Sequence, residues 1–62
     1  MITHQLIGHA VAQAAAMGVH PAIVREKVLN WVASKNQVPM PVAVRQYNMG
    51  LRSALRRPVL PN

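Results

Sequence analysis

Glycine and proline divide this chain into three. In "AAAMGVHPAIVREKV", Ala14 to Val28, an Ala-rich run stops at Gly18, Pro21 follows, and a periodic, charged segment begins. A glycine taking left-handed backbone angles ends a helix, and a proline in a first turn starts one, because its missing N–H would be unpaired there anyway. Further on, "KNQVPMP" sets Pro39 and Pro41 one residue apart. That spacing forces an extended connector of about five to seven residues, too short to separate two domains.

The pattern predicts an all-α fold of three short helices, over about 3–17, 21–34 and 41–56. Thr3 is the expected N-cap of the first, whose stripe is Ile2, Leu6, Ala10, Ala14 and Met17, widened by Ile7 and Val11. Gln5, His9 and Gln13 form its polar row. The second helix carries Val24, Val28, Trp31 and Val32 on one stripe, with Leu29 off it, either packed at an edge or exposed for a partner. The third, again with a proline at its start, carries Val44, Tyr47, Leu51 and Leu55. Gly50 inside it costs up to about 1 kcal/mol relative to alanine, which a close helix approach would explain. Residues 1–57 read as one helical domain and 58–62, "PVLPN", as an extended tail.

At 62 residues without cysteine, the chain has no disulfide or thiolate staple. A domain this small buries only about 60% of its unfolded surface, so its stability is marginal. Half the residues are apolar, too many for a disordered tail, yet there is no Phe and a single Trp. Trp31 is therefore the expected large anchor. Marginal size and an almost uncharged first helix point to completion by self-association or a larger assembly. Leu6, Ala10, Ala14, Leu29 and Trp31 are the expected partner-packing residues. The absence of cysteine and of a positive n-region favours a cytoplasmic or intraparticle setting over secretion, and no segment reads as a membrane span.

Charge is segregated. Residues 1–24 contain no Lys, Arg, Asp or Glu, and five Arg and two Lys face the single acid Glu26, for a net charge of +6. Such an excess calls for a polyanionic partner: nucleic acid, with DNA ahead of RNA, or an acidic protein surface. Arg45, Arg52 and Arg56 share one face of the third helix, with Met49 between them and Arg57 beyond. Guanidinium groups pair bidentately with phosphate oxygens, so this row, joined by Arg25 and Lys27, is the expected nucleic-acid contact. A plain solvated face would mix acids with its bases, and no acid follows Glu26.

Residues 10–29 resemble the helix-turn-helix of small phage and bacterial DNA-binding regulators. Ala14 stands at the small position of that motif's first helix, Gly18 at its turn glycine, Val19 at the apolar residue after it, and Val24 and Val28 at core positions of its second helix. The resemblance implies a reading helix beginning in "VHPAIVREK", with His20, Ala22, Arg25, Glu26 and Leu29 outward. Arg25 would pair with guanine, and Ala22 or Leu29 would touch a thymine methyl. Lys27 departs from the pattern, standing where the motif usually has an apolar residue. The alternative is a plain bend between two packed helices.

Catalysis is not expected. There is no Asp, and Glu26 is alone. No cofactor or metal is expected either: His4 and His9 lie about 140° apart on a helix, whereas zinc needs about three or four converging ligands. The leading expectation is thus a non-enzymatic nucleic-acid-binding accessory or regulatory protein. The alternative is a structural subunit of a larger complex such as a phage virion. A basic membrane-active peptide is the third reading.

Overall fold

The computed structural model describes residues 1–56, with only the backbone of Arg56. It is all-helical: α1 spans His4–Ala16, α2 Pro21–Asn36 and α3 Met40–Arg56. The expected tail over 58–62, and Arg57, lie outside the described residues.

The helix ends follow from local chemistry. Thr3 has extended backbone angles and its hydroxyl accepts the Leu6 N–H at 3.2 Å, satisfying one of the first-turn donors of α1. Gly18 takes φ +80°, which lets its N–H reach the Ala15 carbonyl at 3.0 Å and the Val19 N–H the Ala14 carbonyl at 3.1 Å. These two bonds close a Schellman turn and satisfy carbonyls that the helix end would orphan. Pro21 opens α2 as expected, and His20 before it caps the helix: its Nδ1 accepts the Ala22 N–H at 3.1 Å, which fixes the Nε2–H tautomer.

α2 runs two residues further than the expected end at Ser34. Pro39 restrains only the residue before it, so Lys35 and Asn36 complete a last turn. Gln37 then terminates the helix in left-handed angles, φ 53° and ψ 51°, and the Val38 N–H bonds the Ala33 carbonyl at 3.1 Å. A glutamine performs the step that glycine performs at Gly18.

The three helices share one core of Ile2, Ile7, Val24, Val28, Leu29, Val32, Ala43 and Tyr47. Several assignments of face change. On α1 the inward residues are Ile7 and Gly8, with Val11 and Ala14 packed beside them, so the core takes the Ile7–Val11 edge of the expected stripe and leaves Leu6 and Met17 outside. Leu29 is neither at an edge nor exposed but buried, at 6% exposure. Trp31 is only half-buried, and the fully buried anchors are Ile7 and Val32. On α3 the expected stripe holds for Tyr47, which is buried, and for Val44 and Leu51, which pack against the core beside Ala43 and Gly50, whereas Leu55 is 86% exposed.

Two devices fix how the helices meet. α1 packs most extensively on α3. There, a Cβ added to Gly50 would stand 2.7 Å from Ile7 Cγ2 and 2.8 Å from Ile7 Cβ, so the close approach expected of Gly50 is present and its contact is Ile7. The second device is Asn36. Its Oδ1 accepts the Ile2 N–H at 2.6 Å, and its Nδ2 donates to the Ile2 carbonyl at 3.3 Å and to Gln46 Oε1 at 2.9 Å. One amide thereby ties the segment before α1, the end of α2 and the middle of α3, and keeps Ile2 in the core.

Candidate nucleic-acid interface

The cationic side chains fall on different sides of the molecule because of where each helix turns its apolar stripe. On α3 the buried residues Ala43, Tyr47 and Gly50 recur at i, i+4 and i+7. At 100° per residue, Arg45 and Arg52 lie on the opposite side, about 20° from each other. Both are exposed, as are Asn48 and Met49 between them. The backbone of Arg56 continues this row at the last residue of α3. From Arg45 to Arg56 the row covers about 16 Å of helix, a length over which B-DNA carries about ten phosphate charges.

Arg25 stands apart from that row. It sits in the second turn of α2, in line with the core stripe, and its guanidinium carbon lies 5.9 Å from the centroid of the Tyr47 ring. Tyr47 is buried on the inward side of α3. The ring therefore supports a cation that remains exposed, with the contact on the face of α3 opposite Arg45 and Arg52. Lys27 is exposed on the outer side of α2, turned away from Val24, Val28 and Val32. The expected basic residues thus divide into an α3 row, a ring-supported Arg25 and an outlying Lys27.

The α1–α2 turn shows which residues of the suspected reading helix face outward. Ala14 and Val19 pack against the core, Gly18 makes the turn, and Val24 and Val28 are buried. Those placements serve any two helices joined by a Schellman turn. His20, Ala22, Arg25 and Glu26 are exposed, but His20 uses Nδ1 to cap α2, and buried Leu29 cannot reach a base edge.

Of the expected partner-packing residues, Leu6 is 47% exposed, Ala10, Ala14 and Trp31 are half-buried, and Leu29 is enclosed. Met17 and Leu55, not placed in that set, are more exposed than any of them. Among the described residues, no group of three His, Cys, Asp or Glu could hold a metal ion, and no helix is long and apolar enough to cross a membrane. Comparison with protein-family models, with curated proteins and with solved structures gives no match.

Proposed function

We propose that the protein is a small, non-enzymatic nucleic-acid-binding accessory or regulatory protein that grips phosphates through the outer face of α3. The observation that carries the reading is the pair Arg45 and Arg52, exposed opposite the buried face of α3, in a chain with no acid after Glu26. An unopposed guanidinium row raises the local concentration of a polyanion and pairs with its oxygens without reading bases. The capping role of His20 and the burial of Leu29 favour α3 over the start of α2 as the contact. DNA is placed ahead of RNA as the partner, and the phosphates, common to both, make the contact. Binding to a random-sequence duplex of about 20 base pairs, measured at several salt concentrations, tests this. With about four Arg on phosphates, log K falls against log salt with a slope of roughly −3 to −4. A flat salt response, or no binding to duplex or single strand, overturns it.

A second reading has its own support. Met17 and Leu55, two large apolar side chains, are 77% and 86% exposed. A structural subunit, as in a virion or another multiprotein complex, would cover them. Recovery of a defined protein complex from the source, with no nucleic acid in it, would favour this reading over the first.

A further inference from the structure

Helix α1 carries a second stripe that its own core leaves uncovered. Leu6, Ala10, Gln13 and Met17 recur at i, i+4, i+7 and i+11, the alternating four-and-three spacing of a coiled-coil seam. They fall within about 60° of one another, roughly 110° round the helix from Ile7 and Val11. Leu6, Gln13 and Met17 are exposed and Ala10 is half-buried.

Charge and symmetry identify what fits this stripe. Every Lys and Arg lies at or beyond Arg25, so two chains of net charge +6 repel wherever α2 or α3 would face its counterpart. α1 has no Lys, Arg, Asp or Glu, and its outer face lets two copies meet without bringing cations together. An acidic partner would find no cation there. The stripe is also self-complementary. Leu6 and Met17 are equidistant from its midpoint, and so are Ala10 and Gln13. An antiparallel pair related by a two-fold axis sets Leu6 of one copy on Met17 of the other, and small Ala10 beside longer Gln13. The two long apolar side chains meet at each end, and the alanines allow close approach at the centre.

We infer that the Leu6–Ala10–Gln13–Met17 face of α1 is a homodimer interface, formed by antiparallel packing of two copies. A single pair of 13-residue helices is short against the roughly 1,200 Å² total of a standard stable interface, so the dimer is a weak one. Salt screens the repulsion between the two cationic chains and strengthens the pair, whereas it weakens phosphate contacts.

Sedimentation equilibrium on the full chain without nucleic acid, from about 10 μM to 1 mM at low and moderate salt, tests the inference. The expected result is a rise from monomer towards twice its mass, steeper at the higher salt. L6E should weaken association at least tenfold, and so should Q13E, whose exposed site is safe for folding; S34E on the exposed side of α2, which lowers the net charge by the same amount, should not weaken it. Monomer throughout the range overturns the inference, as does association that Q13E and L6E leave intact. Because no nucleic acid is present, failure here leaves the phosphate-binding proposal standing, and the reverse holds too.

Discussion

Gly8 lies under the carbonyl of Gly50: a Cβ on Gly8 would stand 2.7 Å from that oxygen and 3.0 Å from Ala54 Cβ. With the reciprocal contact of Gly50 on Ile7, the crossing of α1 and α3 is set by two glycines. In an ordinary helix interior, alanine would gain about 1 kcal/mol over glycine. Here the obstacle is a backbone oxygen, which yields only if the helices separate. Gly8→Ala is therefore expected to destabilise by a net 1–3 kcal/mol or so, with Gly50→Ala in the same range because Ile7 is fully buried. Urea unfolding reads both values. A gain in stability at either site would mean that the helices slide apart freely.

Asn36 gives a second expectation. It binds both polar groups of the Ile2 backbone and Gln46 as well, in a partly buried setting. Asn36→Ala removes all three bonds and is expected to cost about 1–3 kcal/mol. Asn36→Asp keeps an acceptor for the Ile2 N–H but sets a carboxylate against the Ile2 carbonyl and Gln46 Oε1, so it should be no milder. Faster amide exchange at Ile7, whose N–H bonds the Thr3 carbonyl at 3.0 Å, would report loosening of the segment that Asn36 holds. Unchanged exchange in Asn36→Ala would show that the burial of Ile2 suffices alone.

The two left-handed helix ends give paired expectations of opposite sign. Gln37 at φ 53° bears a Cβ penalty that glycine lacks, so Gln37→Gly should stabilise by about 0.5–1 kcal/mol. Gly18→Ala, at φ +80° with open space around it, has strain without any clash and should cost about 1 kcal/mol. Thermal unfolding of the two variants against the parent is decisive, because both shifts come from one backbone property.

Helix number and most boundaries are legible in the sequence because Thr3, Gly18 and Pro21 each act through their immediate neighbours. The end of α2 is less legible because Gln37 adopts a conformation that glycine would have signalled. The inward face of α1 is only partly legible. Ile2, Ile7, Val11 and Ala14 of the expected broad stripe do meet the core, but Leu6 and Met17 do not, and which edge of the stripe turns inward depends on Gly8 meeting Gly50, 42 residues away. Leu29 fails for the same reason, since its enclosure depends on how α2 sits on its neighbours. The Arg row needs only helical geometry to place Arg45 and Arg52 on one face. Its partner is not legible, because a guanidinium pairs with phosphate and carboxylate alike.

Arg25 and Arg52 separate the two surfaces that a polyanion could use. Arg52 is exposed and opposite the core, so Arg52→Ala should leave stability within about 0.5 kcal/mol of the parent. Under the phosphate-grip proposal it should also lower the magnitude of the salt slope for duplex binding by about one. Arg25 rests over the Tyr47 ring at 5.9 Å, so Arg25→Ala should cost about 0.5–1 kcal/mol of stability. Because Arg25 lies away from the α3 row, the same substitution should leave the salt slope nearly unchanged. Fluorescence anisotropy with a labelled duplex, paired with urea unfolding of both variants, distinguishes the two effects. If Arg25→Ala abolishes binding while Arg52→Ala does not, the contact is the start of α2, and the helix-turn-helix reading replaces the α3 row.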